Sequence, residues 1–79
     1  MKVELNLYAT LIRHLPENLQ RGVPVIDVDE GTTIGELLKE LNIPIDKVKL
    51  IFLDGVHAGM EAILEEGSRV GVFPPVGGG

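Results

Sequence analysis

The beginning of the chain alternates between apolar and polar side chains. Apolar residues occupy every second position from Val3 to Leu7, and polar residues stand between them. A period of two is typical of a strand with one buried face, so the pattern predicts a first strand here. Leu11, Ile12 and Leu15 follow at near-helical spacing, but the pattern stops at Pro16. Residues 9–22 are therefore predicted to be a loop around at most one short helical turn.

A second strand is predicted from Val23 to Asp29. Ile26 and Val28 lie two residues apart and are expected to face the core. Pro24 has no N–H to donate to a sheet, so it belongs at the start of this strand or on an outer edge of the sheet.

The clearest helix pattern lies between residues 31 and 44. Thr33 and Glu36 have the spacing of a capping box, in which each side chain accepts a hydrogen bond from the other residue's backbone N–H. Asn42 suits the left-handed residue after a helix, and Pro44 prevents its continuation. The apolar stripe predicted to face the core consists of Ile34, Leu37, Leu38 and Leu41.

The second half of the chain predicts more strands. Val48 to Leu53 is apolar enough for a central strand, and Asp54-Gly55 is typical of a tight turn leading into Val56 and His57. Residues 59–67 fit either a one-turn helix or a short strand with a loop.

The last predicted strand runs from Arg69 to Phe73. Val70 and Val72 are expected to point inward and Phe73 outward, beside the residues that follow. Pro74-Pro75 would end sheet pairing. The order of elements predicts an α+β fold, in which a four- or five-stranded mixed sheet packs on one amphipathic helix.

Composition narrows the range of functions. The 79-residue chain has no cysteine, which excludes disulfides, thiolate zinc sites and a thiol nucleophile. His14 and His57 lack the spacing of metal ligands, so no metal site is expected. A net charge of -5 and only three aromatic residues argue against nucleic-acid binding. We expect a cytoplasmic protein that does not bind membranes, because the sequence shows no secretory signal and no apolar stretch near the ~20 residues of a membrane helix.

The end of the sequence, Gly77-Gly78-Gly79, follows Pro74-Pro75-Val76. One interpretation is a disordered terminus without a role. The other is a thin tail that reaches into a partner, because six extended residues span at most about 20 Å and glycines fit a narrow cleft. The chain shows no glycine-rich phosphate loop with lysine, so activation of the Gly79 carboxylate would require another protein.

The run Leu64–Gly79, LEEGSRVGVFPPVGGG, resembles the C-terminal signature of the MoaD/ThiS sulfur-carrier family. Gly31–Leu38, GTTIGELL, is similar to the family's less specific helix start, and the alternating opening strand extends the resemblance over the whole chain. The resemblance implies a ubiquitin-like β-grasp domain over residues 1–76 and a flexible glycine tail over residues 77–79.

The resemblance also implies a chemistry. In this family an E1-like adenylyltransferase of the MoeB/ThiF type uses ATP to adenylate the terminal glycine, and a sulfur donor converts the acyl adenylate to a thiocarboxylate. Gly79 would be the reacting residue, with Gly78 completing the required pair and Gly77 standing where alanine or serine is more usual. This chain would be a co-substrate and no enzyme, and would bind no cofactor itself.

Length and the Pro-Pro-Val ending are most similar to the small subunit of molybdopterin synthase, whose partner is the large subunit. Sulfur would then enter the molybdenum or tungsten cofactor. The alternatives are a carrier for thiamine thiazole or another sulfur pathway, a ubiquitin-like modifier that forms isopeptide bonds through Gly79, and a binding module without tail chemistry. The expected partner contacts are Phe73, Pro74, Pro75, Val76 and Gly77. For Phe73, simple packing against the sheet is an equal alternative.

Overall fold

The predicted strands form one mixed sheet. The computed structural model describes residues 1–20, 22 and 24–75. Within them, the strands are β1 (Lys2–Leu7), β2 (Val25–Asp27), β3 (Leu50–Leu53), β4 (Val56–His57) and β5 (Arg69–Phe73). They are arranged in the order β2-β1-β5-β3-β4, and β1 and β5 are parallel while the other neighbours are antiparallel.

The two strands with the clearest alternation, β1 and β5, lie side by side. Leu5 is opposite Val70 and Leu7 is opposite Val72, and all four side chains are buried. The predicted inward positions are confirmed. Because β5 pairs with β1 on one side and with β3 on the other, it is the central strand of the sheet.

Two strands are shorter than predicted. β3 has a neighbour on each side, as its apolar sequence indicated. It begins only at Leu50, because Val48 closes a short 3-10 helix by donating its N–H to Ile45 O at 3.0 Å. β2 is an edge strand of three residues. Pro24 directly precedes it, as predicted, and Val23 lies outside the described residues.

The main helix, α1 (Ile34–Glu40), begins and ends where the sequence predicts. Thr33 Oγ1 accepts from Glu36 N at 3.2 Å, and Glu36 Oε1 accepts from Thr33 N at 2.9 Å, so the capping box is complete. Asn42 has a φ of 59°, the predicted left-handed conformation at the end of the helix.

The segment after β1 is more helical than predicted. It contains two 3-10 helices, Ala9–His14 and Glu17–Leu19, and Pro16 separates them. The prediction of at most one short turn was wrong, because Leu11 and Leu15 are both buried and hold two successive turns against the core.

The ambiguous segment 59–67 is a loop that holds the start of α1. Its one bridge within the described chain pairs Ile63 with Thr33. Ile34 N donates to Ala62 O at 2.9 Å and Gly35 N donates to Met60 O at 2.8 Å. These carbonyls satisfy N–H groups that the first turn of a helix leaves without an internal partner.

The core lies between α1 and one face of the sheet. Its buried apolar residues in the described chain are Val3, Leu5, Leu7, Leu11, Leu15, Ile34, Leu37, Leu38, Ile43, Ile51, Leu64, Val70 and Val72. Among the helices of residues 1–20, 22 and 24–75, none has the length and apolar character to cross a membrane.

Candidate functional site

The opposite face of the sheet carries an aromatic cluster at the end of the central strand. Because side chains alternate along β5, Gly71 and Phe73 point away from the core. Tyr8 stacks on Phe73 with ring centroids 4.3 Å apart and planes 4° from parallel. Phe52 meets Phe73 edge-on, with centroids 5.8 Å apart. Phe73 therefore points outward, as predicted, and it also packs against side chains of the sheet.

A groove runs over Gly71 between these rings. Its volume is about 490 Å³, and its apolar end is formed by Tyr8, Phe52 and Phe73. A Cβ placed on Gly71 would lie 3.5 Å from Tyr8 Cε2 and 3.7 Å from Phe73 Cε1, so the missing side chain leaves the floor of the groove open. We call this concavity the outer groove.

The other end of the outer groove is polar. The Arg69 Nε lies 3.5 Å from Glu4 Oε2, and the Arg69 side chain is 72% exposed. Asn6 Nδ2 donates to the same Glu4 oxygen at 2.7 Å. Asp54 Oδ1 accepts from Arg69 N at 2.9 Å. The Arg69 side chain is exposed whereas the Glu4 side chain is only 22% exposed, so the guanidinium is the group of this pair that an acidic partner can reach.

The chain leaves the sheet at the aromatic end. Phe73 is the last residue of β5, and its carbonyl accepts from Lys49 N at 2.8 Å. Pro74 is half-buried and Pro75 is exposed, and neither is paired in the sheet, as predicted. The remaining predicted site residues, Val76, Gly77, Gly78 and Gly79, lie outside the described residues, so their roles stay predictions.

The acidic side chains and histidines of the described residues are not gathered into a metal site. No group of three or more His, Asp or Glu side chains there could hold a metal ion. His57 is exposed beside the edge of Phe52, with ring centroids 5.9 Å apart. Glu36 in the capping box has its pKa lowered, first by the backbone N–H of Thr33 and then by the Thr33 hydroxyl, because both donate to the carboxylate.

The sequence matches the model of the ThiS family over residues 10–79. The chain belongs to this family. The match covers the helix, the central strand and the glycine residues, and it confirms the resemblance to MoaD/ThiS proteins. A search of curated proteins finds no match.

Solved structures confirm the ubiquitin-like β-grasp fold of this ThiS-family chain. SAMP1 from Haloferax volcanii is 22% identical, with a TM-score of 0.72 and 100% of both chains covered. A putative molybdopterin converting factor subunit 1 from Pyrococcus furiosus is 24% identical, with a TM-score of 0.69 and 96% of this chain and 99% of that chain covered.

A third similar structure is a complex. It contains subunits 1 and 2 of the molybdopterin-converting factor from Helicobacter pylori, and the matching chain is 19% identical with a TM-score of 0.62 and 100% of both chains covered. At these identities the likeness shows the fold. Together with the family match, it makes this chain a small ubiquitin-like protein of the ThiS/MoaD type.

Sequence reasoning identified Phe73 but missed its neighbours on the outer face. Tyr8 and Phe52 complete the aromatic cluster, and Gly71 opens the groove between them. The alternation of β5 indicated that Gly71 faces outward. The contact with Tyr8 depends on the parallel pairing of the first and last strands, which no local pattern shows.

Proposed function

We propose that this chain carries sulfur as a thiocarboxylate on the Gly79 carboxylate and donates it in molybdopterin biosynthesis. The match to the ThiS family, which extends over the glycines to residue 79, carries the proposal. The molybdopterin pathway is favoured by the Pyrococcus furiosus and Helicobacter pylori structures, whose descriptions name molybdopterin converting factor subunit 1 or its complex.

The chemistry takes place on the chain but is catalysed by partners. A carboxylate does not react with a sulfur nucleophile until one of its oxygens becomes a leaving group. An E1-like adenylyltransferase would attach AMP from ATP to the Gly79 carboxylate, and a sulfur donor would displace the AMP. Because glycine has no Cβ, neither side of its carbonyl is shielded.

The outer groove supports docking of a sulfur-accepting partner. Aromatic residues are enriched at the anchors of protein interfaces, and Tyr8, Phe52 and Phe73 lie together where β5 ends. A partner bound in the outer groove would lie close to the end of β5, from which the chain continues to the reacting residue Gly79. The partner is proposed to be a large subunit of the kind that accompanies subunit 1 in the Helicobacter pylori complex.

Intact-mass measurement tests the carrier role. The purified chain is incubated with its cognate activating enzyme, ATP and a sulfur donor. We expect a mass increase equal to one oxygen-to-sulfur exchange, located at Gly79 by fragmentation. An unchanged mass with an enzyme that consumes ATP in the presence of the chain contradicts the proposal.

Two neighbouring substitutions provide a matched control. Gly77→Ala places a methyl group at a position where the family tolerates a small side chain, and we expect normal sulfur loading. Gly79→Ala places the same methyl group next to the reacting carbonyl, and we expect loading to fall sharply. Equal loading of the two variants would show that the terminal position has no special role.

Transfer experiments separate the pathways. The thiocarboxylated chain is mixed with a molybdopterin synthase large subunit and its pterin precursor, and in parallel with a thiazole synthase and its substrates. We expect sulfur loss from the chain and dithiolene formation only in the first mixture. Transfer only in the second would assign the chain to thiamine biosynthesis.

Protein modification is the second candidate function. The likeness to SAMP1, a small archaeal modifier protein that is matched over the full length of both chains, favours it. It predicts isopeptide bonds between Gly79 and lysines of other proteins. Mass spectrometry of proteins captured through a tag before Met1 would detect these branches, and a Gly79→Ala strain provides the background.

A further inference from the structure

Lys49 lies beside the point at which the chain leaves the sheet. Its backbone N donates to Phe73 O at 2.8 Å. Leu50 is opposite Phe73 in the antiparallel pairing of β3 and β5, so the same register places Lys49 opposite Pro74. The Lys49 side chain is exposed, and no carboxylate of the described residues lies within ion-pair distance of its ammonium.

We propose that Lys49 is a self-acylation site, at which the activated Gly79 carbonyl of the same chain is captured as an isopeptide bond. The product is a lariat, whose covalent ring runs along the backbone from Lys49 to Gly79 and returns through the Lys49 side chain. The inference rests on the proposed function, because it requires Gly79 to be activated as an acyl adenylate.

The chain is long enough to close this ring. Residues 74–79 span at most about 20 Å when extended, and the two prolines use about 6 Å of this length. The four residues after them cover up to about 13 Å, and three of these are glycines that can adopt the φ values needed to turn back. Lys49 starts opposite Pro74 and contributes a four-carbon stem.

Two other amines, those of Lys2 and Met1, are placed less favourably. Lys2 is at the beginning of β1, about 17 Å along the strand from Leu7 at the end where the tail leaves. It is also paired with Asp27 at 3.2 Å. The Met1 ammonium donates to Val28 O at 2.8 Å on the β2 side of the sheet. Lys47, two residues before Lys49, is the nearest competitor in sequence.

The step is an aminolysis of the acyl adenylate. The unprotonated Lys49 Nζ attacks the Gly79 carbonyl carbon, and an amide C–N bond forms. The bond from that carbon to the phosphate oxygen breaks, AMP leaves, and the proton from the amine goes to water. Relative to the free acid, the lariat lacks one water, and the ATP used by the activating partner drives the reaction.

The capture competes directly with sulfur loading. The sulfur donor and Lys49 react with the same carbonyl carbon. Any acyl adenylate that does not react with the sulfur donor is therefore converted to the lariat. A lariat has no carboxylate left to activate. Self-acylation at Lys49 therefore withdraws the chain from the sulfur pathway when donor sulfur is scarce.

A chemically activated chain tests this inference without the activating partner. The full sequence is expressed as an intein fusion and released with a thiol, which leaves Gly79 as a thioester. In mildly alkaline buffer we expect a product one water lighter than the acid, and proteolysis should yield a branched peptide that joins Gly79 to Lys49. At micromolar protein, an effective concentration in the millimolar range favours ring closure over intermolecular coupling by about 1,000-fold.

Two matched lysine variants test whether Lys49 is the residue that is acylated. Lys49→Arg keeps the charge but removes the nucleophile, and we expect the lariat to disappear. Lys2→Arg makes the same change at the beginning of β1, and we expect this variant to give the same lariat yield as the unchanged chain. Hydrolysis to the acid as the only product, or equal branching at Lys47, overturns the inference.

The two proposals fail separately. If the activating enzyme yields a thiocarboxylate but the thioester forms no lariat, the self-acylation site is wrong and the carrier role stands. If the thioester forms the lariat at Lys49 but no thiocarboxylate appears with the enzyme, ATP and sulfur donor, the carrier role is wrong.

Discussion

At the scale of single residues, a substitution at Gly71 tests partner binding separately from stability. A methyl group there would meet Tyr8 and Phe73 at ordinary van der Waals distance, so we expect Gly71→Ala to change the free energy of unfolding by less than about 0.5 kcal/mol. The same methyl group fills the floor of the outer groove. We therefore expect weaker binding to the sulfur-accepting partner, measured by calorimetry beside urea unfolding. Unchanged affinity would show that the groove is not the docking surface.

Gly35 responds differently to the same substitution. Alanine favours a helix over glycine by about 1 kcal/mol at exposed positions. At Gly35, however, the new Cβ would lie 3.2 Å from Met60 Cβ and 3.2 Å from Met60 O. The Met60 carbonyl accepts from Gly35 N and cannot retreat without weakening that hydrogen bond. We expect Gly35→Ala to lower the urea midpoint, and a raised midpoint would contradict the tight packing.

At the scale of elements, the capping box stabilises the start of α1. Thr33→Ala removes the hydroxyl that accepts from Glu36 N, and we expect a loss of about 1 kcal/mol in the free energy of unfolding at neutral pH. Thr33→Ser keeps the hydroxyl and serves as the matched control. Equal losses in the two variants would mean that the methyl group of Thr33, and not its hydroxyl, stabilises the helix.

The same box makes stability depend on pH. The pKa of Glu36 is lowered in the folded protein because Thr33 N–H and Oγ1–H both donate to its carboxylate. A lowered pKa adds stability above the ordinary glutamate pKa, and this contribution is lost as the pH falls through the folded value. We expect Glu36→Gln to lose less stability relative to the unchanged chain in acid than at neutral pH, measured by urea unfolding at both.

Elements defined by local patterns were predictable from sequence. β1 and β5 alternate, and α1 has an apolar stripe with a cap at each end, so their positions are confirmed to within a few residues. The 3-10 helix Ala9–His14 was not predictable, because it is stabilised by burial of Leu11 against distant residues. The bridge between Thr33 and Ile63 is also non-local.

The candidate site was predictable only in part for the same reason. The alternation of β5 indicated that Phe73 points outward, and the structure places it there. Its stacking on Tyr8 joins residues 65 positions apart (73 − 8) through a parallel strand pair. No period or motif in one sequence shows which strands become neighbours, so the outer groove appears only in the folded chain.

At the scale of the whole molecule, the domain and the glycines are expected to have separate roles. The buried apolar residues of the described chain lie between Val3 and Val72. We expect deletion of residues 77–79 to leave the thermal midpoint nearly unchanged and to abolish sulfur loading. Leu5→Ala is the opposite control, since loss of a fully buried leucine costs about 2–5 kcal/mol. A large fall in the midpoint of the shortened chain would give residues 77–79 a structural role.

The central position of β5 has a mechanical consequence. Residues 74–79 continue from a strand that is hydrogen-bonded to β1 on one side and to β3 on the other. A partner that pulls this end into its active site therefore loads both strand pairs along their length, in shear, so that many hydrogen bonds must break together. An edge strand under the same tension would peel away one bond at a time. The domain can thus be drawn against an enzyme by its own C-terminal residues and stay folded while it is held.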